Sequence, residues 1–276
     1  MKIPAIKILF NLLLLSTVAS AQSQDTTKPK FRIVEQNAFG PGERLIFEIS
    51  YGFVTAGTAI MEIAPNTVTI NGRQAYQISV NVNSSESFDW VYKVRDSYLT
   101  LMDKEGLFPW KFEQHIREGN YKRDFEAIFD QENKLVRAYT GETEPKKFEG
   151  EFQVPEYVQD VLSAFYYSRT FDYSGMKEGD IIKLQNFSKD KTYPLDVKFL
   201  GRETVEVDAG EFKTIILEPL VLEGGLFKSE GNLIVWLTDD DRKIPVKVKT
   251  KVVVGAIDIE LQQYSGLAGP LNARIK

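Results

Sequence analysis

The chain holds one histidine, His115, and no cysteine. The side chains that most often serve acid–base, nucleophilic and soft-metal chemistry are therefore nearly absent. Without cysteine there is no thiolate nucleophile, no cysteine-ligated zinc and no disulfide. Catalytic triads and most zinc sites need at least one histidine. From Trp110 to Arg117 apolar residues alternate with charged ones. That alternation sets His115 beside Lys111, Glu113 and Arg117 on the expected solvent face of a strand. Carboxylates are the remaining option. Asp239-Asp240-Asp241 offers hard oxygen ligands of the kind calcium prefers. It lacks the spaced ligands and closing glutamate of an EF-hand loop and reads as an acidic turn between strands. A carboxylate hydrolase needs two acids converging at about 5–10 Å, as in glycosidases. Asp96, Glu113 and Glu218 are the first places to look, but no pair is assigned. The sequence yields no catalytic residue, no metal site and no cofactor.

More informative are charges that alternation places on apolar faces. Asp96 falls in line with Trp90, Tyr92, Val94 and Tyr98. Arg123 falls in line with Tyr121, Phe125, Ala127 and Phe129. Glu218 falls in line with Phe212 and Ile216. A buried charge is costly unless paired. These three residues are thus a candidate buried polar cluster, with Asp96 and Arg123 as the expected ion pair, or else their faces line a wet cavity. The same stretches crowd aromatic rings. Trp90, Tyr92, Tyr98, Trp110 and Phe125, with Phe165 and Tyr166 further on, either fill an ordinary β core or form the wall of a concave ligand site.

The elements that position these residues are mostly strands, because the dominant hydrophobic period is two. Leu45, Phe47, Ile49 and Tyr51 share a face. Thr67–Ile70, Asn71-Gly72 and Gln74–Val82 form the clearest hairpin, since Asn-Gly accepts positive φ at both turn positions. Phe88 to Met102 reads as one long strand, followed by strands over Leu107–Arg117, Tyr121–Asp130 and Lys134–Tyr139. Val158, Val161, Leu162, Phe165 and Tyr166 follow the 3.6-residue helical spacing. Pro155 and Glu156 suit a helix start, so a central helix is expected over about 156–171. Near the C-terminus, alternation predicts a hairpin in which Lys249 faces Glu260 and Lys251 faces Asp258, while Val248 faces Leu261.

The ends and the charge bound location and partners. Lys2 and Lys7, the apolar run Ile8–Leu15 and Ala19-Ser20-Ala21 have the order of a secretory signal peptide over residues 1–21. Residues 22–39 read as a flexible tether, 40–266 as a single β-rich domain and 267–276 as a tail. No later run is long and apolar enough for a transmembrane helix. A bacterial lipoprotein needs a cysteine to carry its lipid, so a soluble, non-lipoprotein product in the periplasm or outside the cell is expected. The net charge of −5 becomes more negative once the signal lysines are removed, which argues against a nucleic-acid partner.

Several segments, in order, carry a family resemblance. They are Gly42-Glu43-Arg44-Leu45 with Tyr51-Gly52-Phe53-Val54-Thr55-Ala56-Gly57, and Asp160-Val161-Leu162-Ser163-Ala164-Phe165-Tyr166-Tyr167. Then come Val207-Asp208-Ala209-Gly210-Glu211-Phe212 with Glu218-Pro219, and Trp236-Leu237-Thr238-Asp239 with Arg242-Lys243-Ile244-Pro245-Val246. Across about residues 40–265 this order resembles domain-of-unknown-function family 3108 of exported Gram-negative bacterial proteins. The resemblance implies export and a β-rich fold, and no reaction. A nuclease-like label that some members carry finds no support here, because the chain has no G-x-x-x-x-G-K-[ST] phosphate loop and no basic face.

The expected fold is mainly β: a strongly curved antiparallel sheet or open β-barrel with one central helix, or alternatively a β-sandwich. The expected function is non-enzymatic binding or carriage of an apolar or glycan-like ligand on the concave face. A structural or assembly factor of the cell envelope, acting on a protein partner through its surface, is the second reading, and a carboxylate-based hydrolase the third.

Overall fold

Period-two alternation through most of the chain becomes strand after strand. The computed structural model describes residues 31–221, 233–251 and 255–276, so the expected signal peptide lies outside the described residues. Arg32–Lys276 forms one compact unit. The first run of strands comprises β1 (Arg44–Tyr51), β2 (Val54–Ile63), β3 (Val68–Ile70), β4 (Arg73–Ser84), β5 (Arg95–Asp103), β6 (Pro109–Glu118), β7 (Tyr121–Asp130), β8 (Leu135–Thr140) and β9 (Lys147–Gln153). The helix α1 (Val161–Ser168) follows. The second run comprises β10 (Ile181–Ser188), β11 (Lys191–Val207), β12 (Gly210–Val221), β13 (Leu233–Thr238), β14 (Pro245–Lys251) and β15 (Ala256–Ser265).

All pair antiparallel into one sheet in the order β10-β11-β12-β13-β14-β15-β1-β2-β4-β5-β6-β7-β8-β9, with β3 on β4. The first and last strands join the two runs, since β15 pairs with β1. The sheet does not close on itself, and β9 and β10 are its two ends. Those ends nevertheless meet side chain to side chain. Phe187 of β10 lies 5.6 Å from Phe152 of β9 and 6.2 Å from Phe129 of β7, ring centre to ring centre. The result is a curled, open barrel rather than a sandwich.

The interior is packed. Phe112, Phe125, Phe129 and Val136 from β6–β8 meet Val158 and Leu162 from the helical segment. On the other side of the helix, Ala164 packs with Phe199, Ile215, Leu217 and Leu237. Tyr166 is fully buried against Phe39, Tyr76, Ile78 and Met102.

Several sequence expectations need correction. The helix is shorter than expected, because Tyr157 takes a φ of +57° and Gln159 pairs with β10 before the helix begins. Its start is set by a capping box. Asp160 accepts from the backbone N–H groups of Leu162 and Ser163, and Ser163 Oγ accepts from the Asp160 N–H. The strand expected from Phe88 begins only at Arg95. Before it, the chain makes a helical turn in which Asp89 and Tyr92 donate to Ser85 and Phe88. Arg95 ion-pairs with Asp89 at 2.6 Å and fixes that turn. The expected tether is packed from Arg32 onward, with Ala38 and Phe39 both 2% exposed. The expected tail lies along β12, where Lys213 N–H donates to Ala273 and Ile275 N–H donates to Glu211. The Asn71-Gly72 hairpin forms as expected, both residues at positive φ. In the last hairpin the faces are as expected but the register is displaced by two. Lys249 faces Asp258, Lys247 faces Glu260 and Val248 faces Ile259. A two-residue shift preserves every side chain's face, so alternation could not distinguish the two pairings.

The helix is fixed at both ends by buried charge. At the N-terminal end, the fully buried Asp160 also accepts from Thr100 Oγ1 at 2.6 Å. Just beyond the C-terminal end, Arg169 forms a two-pronged ion pair with Glu43 at 2.6 and 2.8 Å, both side chains wholly excluded from solvent. Its remaining N–H groups donate to the carbonyls of Ala38 and Arg242. One guanidinium thus ties α1 to the entry of β1 and to the β13–β14 turn.

Two predictions follow from these anchors. Glu43→Ala leaves a buried guanidinium without its counter-charge and should cost about 3–5 kcal/mol in urea unfolding. A loss under about 1 kcal/mol would mean that the pair is solvated, as at a surface. Burial pushes the Asp160 carboxyl up to about 6, against the opposing pull of its hydrogen bonds from Thr100, Ser163 and Leu162. The folded state therefore holds this proton more tightly than the unfolded chain. Asp160 should make stability fall by about 3 kcal/mol as pH rises from about 4 to about 6, with no further change above. Asp160→Asn keeps a capping oxygen and should remove that part of the slope; an unchanged slope would refute the assignment.

Candidate functional site

The opening between the ends of the sheet is where a site forms. The stretch after β9 leaves that strand and crosses to β10. There the Gln159 N–H donates to the Gln185 carbonyl at 2.9 Å, and the Gln159 carbonyl accepts from Phe187 at 2.8 Å. This is a single parallel bridge. Beside it lies a cleft of about 540 Å³ bounded by Tyr157, Gln159, Tyr167, Phe171, Arg32 and the edge strand β10 from Ile182 to Gln185. That size is ordinary for a small-ligand pocket.

The walls are built by an aromatic ladder that starts in the core. Trp110 meets Phe108 edge-on at 5.1 Å, and Phe108 stacks on Tyr157 at 5.4 Å. The Arg32 guanidinium lies between two rings, 4.5 Å from the centre of Tyr157 and 4.3 Å from that of Tyr167. It also donates to the carbonyls of Gly106 and Leu107 at 2.6 and 2.9 Å. Tyr167 in turn meets Phe171 edge-on at 4.9 Å. Arg32 therefore acts as a rivet rather than a mobile charge.

Two sets of hydrogen-bonding groups, one buried behind the cleft wall and one at its edge, have no protein partner among the described residues. The Gln159 side chain is 2% exposed, and its Nε2 donates to the carbonyls of Leu107 and Tyr157, both at 3.1 Å. That geometry fixes which end of the amide is which and leaves Oε1 without a partner. A buried acceptor left unmade costs about 1–3 kcal/mol. The second set is main chain. Gln185 C=O and Phe187 N–H point outward to Gln159, so alternation turns the N–H and C=O of Lys183 the same way. Lys183 lines the cleft, and none of the described residues takes those two groups. The cleft thus offers aromatic and aliphatic walls, the charged residues Glu156, Lys183 and Asp196, and a short row of strand-edge donors and acceptors.

The residues singled out from sequence are distributed differently. Trp90 and Tyr92 stand on the helical turn, 84% and 47% exposed. Trp110, Phe125 and Tyr166 are buried in packing, and Trp110 donates its indole N–H to Asp103. Tyr98 and Phe165 are partly buried against the core. The expected Asp96–Arg123 ion pair does not form. Asp96 accepts from the Arg117 backbone N–H at 2.8 Å, while Arg123 lies over the Phe125 ring. Beside Asp96 is Glu118, whose carboxyl is pushed up by burial and then by the Asp96 charge. Glu218 is buried on β12 opposite Lys198, far along the sheet order from Asp96.

His115 lies with charged residues on the outer face, as alternation predicts. Its Nδ1 is 2.6 Å from Asp124, which also pairs with Arg117 at 2.8 Å. Burial raises the Asp124 carboxyl, but the hydrogen bonds from His115 and Arg117 outweigh it and hold the group below the ordinary value. Of the acidic run, Asp240 caps its own turn by accepting from Thr238, Arg242 and Lys243, and also accepts from Ala273. Asp239 pairs with Arg202 at 2.9 Å.

The cleft residues themselves escaped the sequence reading. Arg32 sat in the presumed tether, and Tyr157 and Gln159 in the presumed helix. The adjacent Phe165-Tyr166-Tyr167 run was the one usable signal, since a helix with aromatics on more than one face must touch more than one wall.

The sequence matches the family model DUF3108, a protein of unknown function, over residues 46–262. No curated protein matches the chain. Among solved structures, a β-barrel-like protein of domain of unknown function DUF1849 from Brucella abortus superposes with a TM-score of 0.54 at 10% identity, over 83% of this chain and 99% of that one. At that identity the likeness concerns the fold alone. A protein of YmcC-like fold from Bacteroides fragilis covers 83% of this chain and 100% of its own, at 11% identity and a TM-score of 0.34.

Proposed function

The chain belongs to the DUF3108 family, described as proteins of unknown function, and on that premise we propose that it is a non-enzymatic exported binding protein whose ligand sits in the cleft beside α1. The observation that carries this reading is a 540 Å³ cleft walled by aromatic rings and bordered by the open β10 edge at Lys183. An aromatic wall beside an open strand edge suits a ligand that brings hydrogen-bonding groups and an apolar or ring-shaped body. Tyr157, Phe171, Ile182 and Leu184 supply the contact area, and the Lys183 edge supplies further hydrogen bonds. An apolar or glycan-like ligand fits that chemistry. The concave-face site expected from Trp110, Phe125 and Tyr166 gives way to this cleft, because those rings already have protein neighbours. Export rests on the basic, apolar and small-residue order of residues 1–21.

The test is native mass spectrometry of the protein purified from its own cell envelope. The wild type should carry an additional mass that denaturation releases. Ile182→Trp, which fills the cleft from its partly buried wall, should reduce the occupied fraction at least about tenfold while the chain stays folded. A wild type of bare mass under conditions that preserve other complexes would refute the reading.

A further inference from the structure

We propose that one end of the barrel, built from three hairpin tips, docks on an anionic lipid bilayer surface. This does not depend on the cleft. The β1–β2 tip carries Phe53 at 108% exposure and Val54 at 55%. The β4–β5 connection carries Trp90 at 84%, with Val91 and Tyr92 also exposed, and the β6–β7 tip carries Tyr121 at 53%. Single exposed apolar side chains are ordinary, whereas a set gathered on one part of the surface marks an interaction surface.

The tips that carry them are neighbours. The β2 edge meets the β4–β5 connection where Ser85 N–H donates to Ala56 and Ser85 Oγ donates to Thr55. The β4–β5 connection meets the β6–β7 tip where Gly119 N–H donates to Lys93, and a Cβ on Gly119 would lie 3.1 Å from the Tyr92 ring. All three tips therefore stand side by side at one end of adjacent strands.

Their chemistry points to lipid rather than to a second protein. The exposed rings sit at turns and strand ends, where they can enter a soft interface without a shaped partner. Trp and Tyr at the ends of elements, with lysines beside them, are the composition favoured at the headgroup level of a bilayer. The exposed charges on these tips are Lys93, Lys122 and Glu86. Of the partly buried charges nearby, Asp89 pairs with Arg95 and Arg117 with Asp124, while Glu118 lies beside the buried Asp96. In a chain of net charge −5, the exposed charges of these tips are two lysines to one glutamate, so the outermost rim carries a positive excess. That orients the rim toward anionic headgroups. No helix among the described residues is long and apolar enough to cross a membrane, so the contact proposed is peripheral.

The experiment is sedimentation of the purified protein with vesicles of phosphatidylethanolamine mixed with phosphatidylglycerol, alongside vesicles of phosphatidylcholine alone. The protein should pellet with the anionic vesicles and its tryptophan emission should shift to the blue. Phe53→Ser with Trp90→Ser should cut the bound fraction at least about tenfold and abolish the shift. Lys93→Glu with Lys122→Glu should selectively weaken the anionic arm. These side chains are exposed, so the variants should keep the wild-type unfolding midpoint. Failure to pellet with anionic vesicles above a vesicle-free control would overturn the proposal. So would a dimer by light scattering that Phe53→Ser dissociates, because the patch would then belong to a second copy of the chain.

Discussion

An antiparallel sheet with two unpaired ends has to bury its inner face on something, and in this protein that is a helix of eight residues. A helix so short has little stability of its own. It persists because both ends are held by buried polar groups: Asp160 capping the first turn with Thr100 behind it, and Arg169 enclosed with Glu43 after the last. Neither anchor tolerates partial satisfaction. A buried carboxylate or guanidinium that loses its partner keeps the full cost of leaving water. The two anchors therefore act as a demand on geometry. β1 must begin where Glu43 meets Arg169, and β5 must bring Thr100 under the helix.

The cleft is a consequence of the same arrangement. The helix fills the middle of the barrel and touches both ends of the sheet, but it cannot supply strand hydrogen bonds to both. Gln159 makes one bridge to β10, and the edge beyond that bridge stays open at Lys183. Covering an open edge with a single residue blunts its tendency to pair with other chains while leaving room for a ligand. The Arg32 rivet and the ladder from Trp110 through Phe108 to Tyr157 brace the walls of that room, which suits the proposed ligand because a braced site needs little ordering.

Much of this could be read from residue order, and the parts that could not have definite reasons. Strand positions and faces followed from period-two alternation, as for β6 with His115 outward and Trp110 inward. Asn71-Gly72 marked its turn because few other residue pairs accept two positive φ angles. Register in the last hairpin escaped by two residues, since a period of two is blind to that shift. The turn through Trp90 escaped because its apolar residues mimic a strand while Asp89 and Arg95, too distant to alternate, hold it folded. Asp96 was correctly marked as buried but wrongly paired, because a backbone N–H satisfies a carboxylate as well as a guanidinium does and leaves no trace in the pattern. The cleft was illegible because Arg32, Tyr157 and Ile182–Gln185 lie far apart in the chain, and no local pattern reports that they meet.

Residue-resolved amide hydrogen exchange tests the central claim most directly, namely that a doubly anchored helix fills a sheet left open at β10. The account predicts that the amides of Leu162, Ser163 and Ala164, bonded to Asp160, exchange among the slowest in the protein. It predicts that the Lys183 amide on the open edge exchanges far faster than that of its neighbour Leu184, which faces β11. Rapid exchange throughout α1, or equal protection of Lys183 and Leu184, would contradict it.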